Sequence, residues 1–246
     1  MVMENNEFIF GTRAVIEAIK NNRLIDKVLI KKGLDNELFQ ELFHLIRENQ
    51  IAFQFVPVEK INRITRKNHQ GVVALISPIE YLDIEILLPG CFEKGITPLI
   101  LILDQITDVR NFGAIARSAE CAGVNAIIIP EKGTARIGAD AVKTSAGALY
   151  HIPVCKSDNL PKTIKFLKDS GIRIVAATEK AGKLYTSVEM THPVGIVIGS
   201  EEKGISSQIL KLVDEQVKIP ILGKIESLNA SVAATLIIYE AIRQRS

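Results

Sequence analysis

The chain has only three cysteines and four histidines in 246 residues, and their positions exclude more chemistry than they permit. Cys91, Cys121 and Cys155 are odd in number and far apart, which fits neither a disulfide framework nor a zinc knuckle. They read as small core residues. His44, His69, His151 and His192 are equally scattered and lack ligand spacing, so the pattern argues against a metal enzyme. Long apolar runs are missing as well. PLILILD from Pro98 and AIIIP from Ala126 fall far short of the roughly 18 residues that span a bilayer, and no membrane anchor is expected. The opening MVMENNEFIFGTRAV carries early acids where a signal peptide has its apolar region, which argues for a cytoplasmic protein.

Strong charge of one sign is also absent, since the formal net charge is +2. Residues 1–78 hold 11 Lys or Arg against 9 Asp or Glu, and the remainder holds 19 of each, so the small excess lies in the N-terminal third. There, KINRITRKNHQG (60–71) packs Lys60, Arg63, Arg66, Lys67 and His69 together without an acid. Such a cluster either neutralises nucleic-acid phosphates or forms an ordinary solvated face, and charge alone does not choose between them.

What the chain does have is 47% apolar and 24% charged residues, enough for a real core in one large or two small domains. GTRAVIEAIKNN and ELFQELFHLIRENQ show helical spacing of their apolar residues, and DKVLIKKG, IAFQFVPV and GVVALISP read as strands. They define an α/β module over residues 1–78. Residues 79–97, with Pro89, Gly90 and Gly95, read as a linker carrying a short helix. Beyond it, LILILD, AIIIP, RIVAAT, GIVIGS and QVKIPI are continuous apolar runs separated by helical segments. Runs of this kind indicate a parallel sheet covered on both faces. Ligands of such sheets bind at the carboxyl ends of the strands. Attention therefore falls on 104–113, 178–182, 199–204 and the polar cluster after Ile221.

Familiar binding loops fail there. GSEEKGIS has Gly199 and Gly204 at phosphate-loop spacing, but Ile205 stands where the lysine belongs, and Glu201 and Glu202 repel phosphate. Only Gly113 follows the first strand of the sheet, so the dinucleotide fingerprint is missing, and no Gly-x-Ser-x-Gly elbow occurs. In NFGAIARSAECAGV, Asn111 stands at a helix entrance, while Arg110, Ala114 and Arg117 share one helical face. Read alone, Arg117 is as well explained by a snorkelling surface side chain. Ser227, Asn229 and Ser231 precede an almost wholly apolar helix and are, on their own, good helix-capping residues.

NFGAIARSAE, IGSEEKG and IPILGKIESLNASVA, in that order, resemble the three motifs of the SpoU (TrmH-like) RNA ribose 2′-O-methyltransferases. GTRAVIEAI, HQGVVAL and SAGAL resemble the bacterial branch that methylates a guanosine of 23S ribosomal RNA, so the resemblance covers essentially the whole chain. Val109 departs from the family's usual proline without removing a functional group. The resemblance implies a catalytic SPOUT domain over 98–246 with a deep C-terminal trefoil knot, preceded by an L30e-like RNA-binding domain. It implies a homodimer, with the apolar last helix buried around its circumference at the interface. It also implies S-adenosylmethionine (AdoMet) bound near Thr178, Gly199, Ile219 and Leu228. Asn111, Arg117, Glu201, Ser227 and Asn229 match the family's catalytic positions, and Arg63, Arg66, Lys67, His69 and Arg110 become candidate RNA contacts. A transfer-RNA methyltransferase and a non-catalytic RNA-binding assembly factor are the competing functions.

Overall fold

The computed structural model describes residues 8–246, so the part of the N-terminal module and of the leader reading that rests on residues 1–7 lies outside the described residues. The chain forms two compact units that divide after Glu80.

The first unit runs β1 (Phe8–Phe10), α1 (Thr12–Lys20), β2 (Ile25–Lys31), α2 (Glu37–Glu48), β3 (Phe53–Val56), α3 (Val58–Asn62) and β4 (Val72–Ile76). Its strands pair in the order β1-β4-β2-β3, with only β2 and β3 parallel. Because strand side chains alternate between faces, Val28 and Ile30 join Val15, Ile16, Leu42 and Ile46 in one core. Leu29 faces the other way, with Val56, Ile61 and Val73. The side chain of Asn36 caps α2 by accepting from Phe39 N at 2.8 Å.

The second unit runs β5 (Tyr81–Leu82), α4 (Ile84–Glu93), β6 (Leu99–Asp104), α5 (Val109–Cys121), β7 (Ala126–Pro130), α6 (Ala139–Thr144), β8 (Val154–Ser157) and α7 (Leu160–Asp169). It continues with β9 (Arg173–Ala177), β10 (Lys183–Leu184), β11 (Val194–Gly199), α8 (Ser207–Leu210), β12 (Glu215–Lys218) and α9 (Ala230–Arg245). Eight strands pair in the order β10-β12-β9-β11-β6-β7-β8-β5, every pair parallel. β6 is buried along its whole length, as an apolar run in a parallel sheet should be.

Two expectations are corrected. Residues 79–97 are not a linker between domains: β5 pairs with β8, and Ile84 and Leu88 of α4 are buried in the core of the second unit. Burying each such side chain is worth about 1.5–3 kcal/mol, which a free connection would forgo. The second compact unit therefore begins at Tyr81. Cys121 is exposed at the end of α5, unlike the buried Cys91 and Cys155. Within the single chain α9 is covered on one side. Ala230, Ala234, Ile237, Ile238 and Ala241 face inward, whereas Val232, Leu236 and Tyr239 are exposed.

The last turn of α9 is pinned by polar contacts. Arg245 donates to the carbonyls of Thr97, Pro98, Met190 and His192. Glu240, only 6% exposed, accepts from Arg243 at both oxygens and from Gln244. The hydrogen bond from Arg243 holds the Glu240 carboxyl below the usual carboxylate range, against the opposing effect of burial. A lowered folded-state value means a contribution that is complete above the unfolded value and is lost as pH falls through the folded one. Glu240→Gln should therefore unfold at a lower temperature at pH 7, by about 2–4 °C for each kcal/mol lost. Thermal melts should show that deficit shrinking toward pH 3.

Candidate active site

Since all strands of the large sheet are parallel, β6, β9, β11 and β12 deliver their carboxyl ends to one edge. At the end of β6, the Asp104 carboxylate is buried and accepts from Ser206 N at 2.7 Å. That bond holds the chain where it leaves the 200–204 loop. Inside the loop, Gly204 N donates to Ser200 O at 2.8 Å, and Gly204 adopts a φ of +64°. A Cβ on Gly199 would lie 2.2 Å from the carbonyl carbon of Gly204. No other residue fits there without opening the turn.

Three segments meet at Glu201. Its Oε1 accepts from Asn111 Nδ2 at 2.7 Å, from Asn229 Nδ2 at 2.5 Å and from Ala230 N at 3.2 Å. Asn229 Nδ2 also donates to Asn111 Oδ1 at 2.9 Å, which closes a triangle between residues 28, 90 and 118 apart in sequence. Asn229 has a second task. Its Oδ1 accepts from Ser231 N at 3.0 Å and Val232 N at 3.4 Å, the N-cap of α9. Capping and site building are thus one side chain's work. Asp108 caps α5 in the same way, accepting from Arg110 N at 2.7 Å and so setting where Asn111 enters the helix.

A cavity of about 310 Å³ adjoins the triangle. Its lining includes Thr178, Gly199, Ile219 and Leu228, together with Glu201 and Ser227. Ile198, Ile219, Ile221 and Leu228 give it apolar walls, and Glu179 and Glu226 give it carboxylates. Arg117 is not brought into the triangle. It is exposed on α5, beside Ser118, whose hydroxyl oxygen is 2.7 Å from that of Thr235 on α9. Arg110 is likewise exposed, and among the described residues neither arginine forms an ion pair.

In the first unit Arg63, Arg66 and Lys67 are exposed, and Lys67 Nζ lies 5.8 Å from the ring centroid of Phe10. His69 is tied into the turn. Its Nδ1 accepts from Gly71 N at 2.9 Å, so Nε2 carries the proton that bonds Asn62 Oδ1 at 2.8 Å. Lys31 and Lys32 were not singled out by sequence reasoning, yet they belong beside this loop: Lys31 N donates to Gly71 O at 2.7 Å, and both are exposed. Asp104 and Asp108 were also missed, although each stands at a readable strand end or helix start. Among the described residues, no group of His, Cys, Asp or Glu is arranged to hold a metal ion, and no helix is long and apolar enough to cross a membrane.

The site lies at the carboxyl edge of a parallel α/β sheet, where enzymes and binding proteins of this class hold their ligands, and sequence comparison identifies the family. The SpoU rRNA methylase family profile matches residues 98–239, and the profile for RNA 2′-O ribose methyltransferase substrate binding matches residues 8–82. The chain belongs to the SpoU rRNA methylase family. A Bacillus subtilis protein of the TrmH family, named as a putative tRNA/rRNA methyltransferase, is 34% identical over 99% of this chain and 98% of its own. One from Staphylococcus aureus is 38% identical over 96% of each chain. Among solved structures, the SpoU methyltransferase AviRb of Streptomyces viridochromogenes, crystallised with AdoMet, aligns with a TM-score of 0.61 at 24% identity. That alignment covers 97% of this chain and 90% of AviRb. At that identity the likeness speaks for the fold.

Asn229→Ala removes both the α9 cap and one arm of the triangle. Losing a cap costs about 0.5–2 kcal/mol, so thermal unfolding should shift down by about 1–8 °C. Asn229→Asp keeps a capping oxygen but sets a second carboxylate against Glu201. Its melting temperature should lie below wild type at pH 7 and recover toward pH 4; a deficit unaffected by pH would show that the two side chains are not in contact.

Proposed function

We propose that the protein is an AdoMet-dependent RNA ribose 2′-O-methyltransferase whose substrate is a guanosine of 23S ribosomal RNA. The observation that carries this reading is the meeting of Asn111, Glu201 and Asn229 beside a cavity lined by all four expected cofactor positions. The cavity suits the donor chemically: apolar walls for an adenine, and carboxylates for a cationic sulfonium and ammonium. AdoMet supplies, when bound, an electrophilic methyl group on a good leaving sulfur.

The chain's own residues then have to make a ribose hydroxyl nucleophilic. A 2′-hydroxyl is a weak nucleophile until its proton is drawn off. A guanidinium group is a poor base, which bears on Arg117. It serves instead as a donor, holding the neighbouring phosphate and the developing alkoxide, while that phosphate or a water takes the proton. Its lack of an ion-pair partner among the described residues supports this role, because a polyanionic substrate would supply one. Asn111, Ser227 and Asn229 orient the ribose and phosphate, and Glu201 fixes the two asparagines.

The same reading includes a homodimer, a cytoplasmic location, a C-terminal trefoil knot and an L30e-like first unit that presents Arg63, Arg66 and Lys67 to RNA, while His69, whose ring nitrogens are both engaged, shapes the turn instead. Exposed Val232, Leu236 and Tyr239, at positions that share one face of α9, support the dimer. For the knot, the supporting feature is the return of 219–229 from β12 to Glu201 and Asn111.

Labelled methyl from AdoMet should enter purified 23S RNA, and mapping should find one modified ribose. Entry into transfer RNA alone would reassign the substrate and leave the chemistry standing. Removal of a pre-placed donor costs about 2.7–4 kcal/mol, or 10²–10³ in rate. Arg117→Ala should therefore lose methyl transfer by about that factor while binding AdoMet as wild type does in calorimetry. Full activity in the variant would refute its role.

A further inference from the structure

A second cavity, of about 300 Å³, opens from the same loop. It shares Ser200, Glu201, Glu202, Lys203 and Ala230 with the first, but its remaining walls are different: the turn from Gln105 to Asp108, Asn111, and Gly133 after β7. The two spaces thus adjoin across a wall that carries the Asn111–Glu201–Asn229 triangle.

Several lining groups have no work inside the protein. Asp108 Oδ1 is used by the α5 backbone, and Glu201 Oε1 is used by three donors. Among the described residues, the side chains of Gln105, Glu202 and Lys203 have no partner. Gln105 also takes a φ of +60°, a left-handed conformation that residues with long side chains rarely adopt.

Resting on the methyltransferase reading above, we propose that this second cavity receives the base of the target nucleotide, and that Gln105 and Glu202 select guanine. A base seated there places its ribose at the shared wall, where the triangle and the donor's cavity meet. Glu202 and Lys203, consecutive and exposed on the cavity wall, offer an acceptor and a donor that match a base edge with adjacent N–H donors next to a carbonyl oxygen. Guanine has that edge in N1–H, N2–H₂ and O6. Adenine presents an acceptor at N1, which a carboxylate repels, and uracil has a single N–H.

The test reads binding, not turnover. Backbone amide NMR spectra of the full chain are recorded with and without S-adenosylhomocysteine during titration with GMP, AMP or UMP. GMP should shift the amides of 105–108 and 200–203 at concentrations about fivefold or more below those needed for the other two, as one well-placed base contact allows. Gln105→Gly adopts positive φ without strain, so its loss of that preference cannot be assigned to a disturbed backbone; it should leave S-adenosylhomocysteine affinity unchanged. Glu202→Gln should lower the preference as well. Equal responses to all three nucleotides, or GMP shifts confined to the first unit, would overturn the proposal. Failure to bind S-adenosylhomocysteine, with GMP still shifting 105–108, would instead refute the cofactor reading and keep the pocket.

Discussion

One carboxylate oxygen joins the three parts of the site. Glu201 Oε1 takes hydrogen bonds from Asn111 near the start of α5, from Asn229 before α9 and from the first amide of α9. Each donor comes from a segment that other forces have already positioned. Asp108 starts α5, the Asp104 to Ser206 bond anchors the end of the Glu201 loop, and the apolar inner face of α9 docks that helix. The carboxylate therefore locks together elements already brought close by burial. Hydrogen bonds to an ionised acceptor are roughly twice as strong as neutral ones, which suits a junction that is itself exposed to solvent.

The parallel sheet makes such a junction possible. With β6, β9, β11 and β12 all pointing the same way, their following loops crowd one edge, and space between them is scarce. Gly199 is where that scarcity is sharpest, because the loop closes onto the position a side chain would occupy. The outcome is two cavities of similar size divided by a four-residue wall, Ser200 to Lys203, with Ala230 bordering both. Moving either asparagine, or adding a methyl at Gly199, changes both spaces together.

Much of this was legible in the sequence. LILILD and GIVIGS announced buried parallel strands because both sheet faces are covered, and the polar residues after each strand announced the site edge. The geometry also resolved Asn229, whose capping and site readings looked like rivals but use different atoms, Oδ1 and Nδ2. Residues 79–97 misled for a physical reason: Pro89 and Gly90 normally mark a break, yet they lie inside α4, which Asp83 caps and which Ile84 and Leu88 bury. Single-sequence patterns also could not say which side of α9 was covered, because apolar residues surround it. His69 stood out as one more cation in a basic run, but both ring nitrogens serve the turn.

The charge arrangement at the edge has a further consequence. Glu201 sits against the N-terminus of the 16-residue α9, where the helix dipole and the free amide favour a negative charge. Its charge is thus compensated by dipoles and amide donors, with no ion-pair partner among the described residues. Had an arginine done that work, the guanidinium would have been neutralised and its donors consumed. Arg110 and Arg117, on the same face of α5, keep their full charge facing outward. For a ligand with one phosphate per nucleotide, cations of that kind attract most strongly, because no internal ion pair has to be broken before they bind.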